Sequence, residues 1–139
     1  MTNQLLKSLW DASHANTLDE PGLLLYRSNL LGADLRITNF GGGNTSAKVM
    51  HKDPLTGADA KVLWVKGSGG DIGSMKLDGF ATLYMDKLES LKGLYKSIDQ
   101  EDAMVHALNH CTFNLNPRAP SIDTCLHGYV PYAHVDHVH

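Results

Sequence analysis

The sequence predicts a layered α/β domain rather than a doubly wound one, on two observations. Candidate strands and helices mix along the chain without a strict strand–helix–strand alternation. No internal repeat, low-complexity tract or long linker divides the 139 residues. A chain of this length is one domain, or most of one, and can bury roughly two-thirds of its unfolded surface.

Each element has a local reason. Leu5, Leu6, Leu9 and Trp10 repeat at helical spacing and predict an opening helix across Asn3 to Ala15. Thr17 is placed to cap a second helix, with Asp19 and Glu20 in its first turn and Pro21 tolerated there. Leu23, Leu24, Leu30 and Leu31 carry that helix to about Gly32. Arg36 to Phe40 and Thr45 to Met50 read as short strands around the turn Gly41-Gly42-Gly43-Asn44. His51 to Ala60, with Pro54 and Gly57, reads as a surface loop. Lys61 to Lys66 is a buried strand running into the loop Gly67-Ser68-Gly69-Gly70-Asp71. Gly79 to Tyr84 predicts another strand, and Asp86 to Tyr95 and Asp99 to Cys111 predict helices. After a turn around Pro117 and Pro120, Ser121 is expected to cap a helix running towards Val130, and Tyr132 to His139 to form a last strand.

Charge and composition exclude several functions. A formal charge of −3 leaves no electrostatic footprint for nucleic acid or an anionic membrane. No apolar run approaches the ~20 residues of a bilayer span, and Met1 to Trp10 lacks a signal-peptide core. Two cysteines, Cys111 and Cys125, make no disulfide framework, so a reducing cytoplasm is the expected location. Four of the eight histidines (His127, His134, His137 and His139) fall in the last thirteen residues. Termini are normally exposed and polar, so the chain is expected to stop inside a domain.

Four segments can carry chemistry. In His137-Val138-His139, residues i and i+2 of a strand point to one face, so both imidazoles can reach one metal ion, and two neutral imidazoles suit zinc. His134 and Asp136 have the opposite parity from His137. Surface or satisfied histidines are the bland alternative. In Gly41-Gly42-Gly43-Asn44-Thr45-Ser46, consecutive glycines let backbone N–H groups converge on an anion while Asn44, Thr45 and Ser46 add donors; an ordinary hairpin turn reads as well. The loop Lys66 to Gly73 has Gly67 and Gly69 but Ile72 where a dinucleotide fingerprint needs glycine, and no Gly-Lys-Ser or Gly-Lys-Thr is present. A second anion loop stays open. Pro120-Ser121-Ile122-Asp123-Thr124 reads as a helix cap, or as a carboxylate held close upstream of the histidine strand for general-base work.

Taken in order, Phe40-Gly41-Gly42-Gly43-Asn44-Thr45-Ser46, Val65-Lys66-Gly67-Ser68-Gly69, Pro120-Ser121-Ile122-Asp123-Thr124 and His137-Val138-His139 resemble the class II aldolase/adducin family. Ser121 to His139 most resembles the aldolase half of the bifunctional rhamnulose-1-phosphate aldolase/alcohol dehydrogenases. The resemblance covers nearly the whole chain, 1–139, as the N-terminal portion of the domain, cut within the metal site. It implies a three-layer α/β/α fold with a central, largely antiparallel sheet, Zn2+ as cofactor, a phosphorylated ketose substrate, and homotetramers with sites near subunit interfaces. Carried over by position, His137 and His139 resemble zinc ligands, and Asp123 the catalytic carboxylate. Gly43, Asn44, Ser68 and Ser121 resemble phosphate-binding positions.

The departures are Asp123, one methylene shorter than the family's usual Glu, and Ile122, where relatives of the small fuculose type carry a hydroxyl. The third histidine ligand is expected downstream of His139. The implied reaction is retro-aldol cleavage of L-rhamnulose 1-phosphate to dihydroxyacetone phosphate and L-lactaldehyde, with zinc as Lewis acid and no lysine Schiff base. The 139 residues alone are expected to turn over little substrate. The alternatives are a non-catalytic adducin-like scaffold, or an inactive truncated product, and a nucleotide-binding oxidoreductase module.

Overall fold

The computed structural model describes residues 5–113 and 118–139. Asn3 of the expected opening helix and Pro117 of the expected turn lie outside the described residues.

Nine elements position the site. They are α1 (Ala12–Ala15), α2 (Glu20–Ala33), β1 (Asn44–Lys52), β2 (Asp59–Lys66), β3 (Phe80–Tyr84), α3 (Met85–Leu91), α4 (Glu101–Ala107), α5 (Thr124–Tyr129) and β4 (His134–His137), joined by 3-10 turns. The sheet order is β3-β2-β1-β4, and every neighbouring pair is antiparallel. Alternation along the strands gives it two buried faces. On one, α2 sets Leu24 against Ala47, Val49 and Phe80. On the other, Leu88 and Leu91 of α3, with Leu108 and Cys111, cover Leu63, Val65, Ala81 and Leu83. The result is three layers, α/β/α, about a largely antiparallel sheet. Each fully buried leucine contributes about 1.5–3 kcal/mol, and the two apolar clusters clamp the sheet from both sides.

Several expected boundaries shift, each for a local reason. The opening helix is confined to Ala12–Ala15, capped by Asp11, because Leu5, Leu6 and Leu9 find no surface to cover and stay exposed. The second helix is capped by Asp19, which accepts from Gly22 N at 2.9 Å, rather than by Thr17. Arg36 to Phe40 is not a strand. Asp34 accepts from Arg36 N and grips its guanidinium, and Ile37 N donates to Asp34 O, so the segment winds into turns. The Asp86 helix ends at Leu91, and the Asp99 helix is a short α-helix between two 3-10 turns, Ile98–Gln100 and Leu108–Cys111. Ser121 closes a turn by accepting from Asp123 N at 3.1 Å, and α5 begins only at Thr124. No helix among the described residues is long and apolar enough to cross a membrane.

Candidate metal and phosphate site

The site gathers where β1 begins and β4 ends. Asn44 lies opposite His137, and Ser46 opposite Val135. These side chains therefore face the α5 side, where Ser46 Oγ lies 2.6 Å from His127 Nδ1. Asp136 and His134 face the other way, towards α2, where Arg27 Nε bonds Asp136 at 3.0 Å and Arg27 also donates to Ser46 O. The sheet thus separates an Arg27–Asp136 pair that ties α2 to β4 from a histidine-rich face under α5.

The glycine turn is built against the end of the chain. Gly41 and Gly43 have φ of +73° and +81°. A Cβ at Gly43 would also meet Thr38 Oγ1 at 2.9 Å and His137 O at 3.2 Å, so both conformation and space call for glycine. Asp71 Oδ1 accepts from Gly41 N at 2.9 Å. Thr38 Oγ1 accepts from His139 N at 3.3 Å, and Asn39 N donates to His139 O at 3.0 Å. The residues expected as a strand before the turn instead hold the backbone of His139.

The His137 and His139 rings lie with centroids 4.8 Å apart. Two imidazoles bound through nitrogen to one zinc at about 2.0–2.1 Å, at a tetrahedral angle, would set their centroids ~5 Å apart. The spacing of the pair is close to that value. Among the described residues, no group of three His, Cys, Asp or Glu side chains converges to hold a metal. Asp123 Oδ2 lies 3.8 Å from His137 Nδ1, and the Asp123 carboxylate caps nothing in α5. The carboxylate is left to face the imidazole.

The expected phosphate residues meet nearby. Asn44 Nδ2 donates to Ser121 Oγ at 3.0 Å and to Lys66 O at 3.4 Å. Ser68 is exposed, and its N–H donates to Ala119 O at 3.0 Å, beside the Gly67–Pro120 bridge. That contact brings the Gly67 loop against the segment leading to Ser121. Lys66 is buried, and burial pushes its ammonium pKa down against the attraction of Asp71 and Asp123. Gly43, Asn44, Ser121, Asp123, His137 and His139 thus share one corner, with Ser68 at its lip.

Sequence reasoning gave His127 no role here and cast Ser46 only as an anion donor, whereas its hydroxyl is buried against His127. His127 stands four residues after Asp123, one turn along the same helical face, and that spacing was the available signal. Burial pushes the His127 pKa down to about 4, against the pull of Asp123. The unfolded chain, with histidine near 6.5, binds this proton first. His127 therefore contributes stability in full above pH 6.5, and loses it as pH falls towards 4, up to roughly 3 kcal/mol in total. Urea titrations at pH 7, 5.5 and 4.5 are expected to show this loss, and a His127→Gln variant to show a smaller one.

No family model matches the chain. Among curated proteins it is 43% identical, over 137 residues, to the uncharacterized oxidoreductase YuxG of Bacillus subtilis (strain 168). That match takes in 97% of this chain and 19% of that protein, so the chain spans about a fifth of its relative's length. Among solved structures, all of this chain aligns with the N-terminal class II aldolase domain of a conserved protein from Thermoplasma acidophilum, at 32% identity and a TM-score of 0.77, covering 60% of that chain.

Proposed function

We propose that this chain, whose fold is that of a class II aldolase domain, carries the phosphate-binding corner and two metal ligands of a lyase that cleaves a ketose 1-phosphate, with L-rhamnulose 1-phosphate as the expected substrate. The observation that supports this reading is the convergence of Gly43, Asn44, Ser121, Asp123, His137 and His139 from three separate segments. His137 and His139 would hold the divalent ion. When bound, it supplies Lewis-acid stabilisation of negative charge on the substrate's oxygens.

The chain's own residues do the rest. Asn44 and Ser121, tied to each other, and the Gly43 backbone N–H bind the phosphate and fix the sugar by its unreactive end. Binding energy spent there orients the carbon chain relative to the histidines. Asp123, positioned by its N–H to Ser121 Oγ, exchanges the C3 proton as general base in the aldol direction. Lys66 keeps a structural place at the end of β2 and forms no covalent intermediate.

The relative's label as an oxidoreductase finds no support in these residues. The Gly67 loop leads to the 3-10 turn Leu77–Gly79 and then into antiparallel β3. No helix N-terminus follows it to seat a pyrophosphate.

Binding tests this reading before turnover does. In 15N-labelled protein, dihydroxyacetone phosphate is expected to shift Gly43, Asn44 and Ser121 amides, more strongly with Zn2+ present. Asn44→Ala is expected to weaken that binding about tenfold, the loss of one hydrogen bond to a charged group. Shifts confined to other surfaces, or none, would count against it, and the scaffold reading would then stand. With two candidate metal-binding imidazoles, and no group of three potential ligands among the described residues, we expect turnover by this chain itself to be slight.

A further inference from the structure

His127 is fully buried and its Nδ1 is held by Ser46, yet its Nε2 has no hydrogen-bond partner. His137 Nδ1 and Asn44 Oδ1 are likewise buried and unpaired. All three lie at one corner: Asn44 opposes His137 in the ladder, and Ser46, two residues along β1, anchors His127. An unpaired buried polar group costs about 1–3 kcal/mol. Three together point to one shared partner.

Spacing identifies it. The His127 and His137 ring centroids are 6.5 Å apart. A direct N–H···N bond needs ~5 Å, and shared zinc ligation also ~5 Å. Two bonds of about 2.8 Å meeting at one water separate the nitrogens by ~4.6 Å and the centroids by up to ~7 Å. One bridging water reaches across a gap of this size.

We propose that one buried water joins His127 Nε2, His137 Nδ1 and Asn44 Oδ1, making His127 the positioning residue that orients His137; this rests on the reading of His137 as a metal ligand. The proton count closes. Ser46 Oγ–H donates to Val135 O, 3.4 Å away. His127 Nδ1–H donates to Ser46 Oγ, which leaves His127 Nε2 as an acceptor. The water donates to that nitrogen and to Asn44 Oδ1, and accepts from His137 Nδ1–H. Three partners are typical of a buried water. His137 Nε2 then keeps its lone pair for a cation. Asp123 Oδ2, 3.8 Å from His137 Nδ1, is the rival partner.

The test reads the tautomer directly. Long-range 1H–15N spectra of the metal-free, 15N-histidine-labelled chain are expected to show His137 protonated at Nδ1. His127→Phe is expected to release that preference and to weaken Co2+ binding, followed by its absorption bands, about 10–100-fold. His127→Gln, whose amide reaches the Nε2 position, is expected to recover most of both. Asp123→Asn is expected to leave the tautomer unchanged. The proposal is overturned if Asp123→Asn releases the tautomer and His127→Phe does not, or if His127→Phe binds Co2+ as wild type does. Should His127→Phe fail to fold, Ser46→Ala decides: it removes the anchor alone, and an unchanged His137 tautomer overturns the proposal. If wild type binds no Co2+, the metal reading falls while the tautomer comparison still judges the positioning role.

Discussion

Gly32→Ala is expected to destabilise the chain by about 3 kcal/mol or more, enough to unfold much of a marginally stable domain. The added Cβ would stand 2.1 Å from Gly73 N, 2.5 Å from Gly73 Cα and 2.7 Å from Ile72 C. All three are backbone atoms, so no side chain can swing aside. The last turn of α2 touches the 72–73 backbone there, and Asn29 Nδ2 secures the contact by donating to Ile72 O at 2.9 Å and Met75 O at 3.3 Å. Relief of the clash must push that loop outward. Asp71 would move with it and release Gly41 N, so the glycine turn should loosen as well. Urea unfolding measures the first effect, and amide exchange at Gly41 the second. Gly93→Ala is the matched control: its Cβ would meet only Ser90 O, at 3.5 Å, and its effect is expected within about 0.5 kcal/mol of zero. A Gly32→Ala variant as stable as wild type would show that this backbone contact is not tight.

His137→Ala is expected to weaken binding of Zn2+ or Co2+ by more than the ~10–100-fold typical of changes one shell further out. The ring is one of two that share a face 4.8 Å apart, and its side chain is about a third exposed, so the fold should survive. His134→Ala is the informative partner. His134 sits on the same strand but on the α2 face, beside Arg27. Its loss is expected to leave metal affinity within a few-fold of wild type. Titration against a competing chelator separates the two. Equal losses would mean that the cation responds to the strand rather than to one face of it, and the ligand assignment would be withdrawn.

Elements with a strong local signature were readable. The Lys-Val-Leu-Trp-Val-Lys strand, the Pro-started second helix and the surface loop read over His51 to Ala60, whose ends join β1 and β2, each follow from propensity, capping or turn chemistry within a few residues. Phe40 was misread for a matching reason. Its neighbours Ile37 and Thr38 have strand-like side chains, but Asp34 captures the local N–H groups first and turns the chain. The opening leucines failed differently. Helical spacing promises a helix only where a surface waits to be covered, and Leu5 remains 87% exposed.

By itself, the sequence determined which residues could act. Side-chain parity on β4 divides His137 from His134, and positive φ at Gly41 and Gly43 demands glycine; both are local properties of the backbone. Only the tertiary structure decided which of those residues meet. Asn44 reaches Ser121 across 77 positions, and Ser46 reaches His127 across 81, because β1, α5 and β4 stack at one corner of the sheet. The role of His127 exists only there: burial takes its Nε2 out of bulk solvent and leaves it no protein partner, and no periodicity along the chain records that.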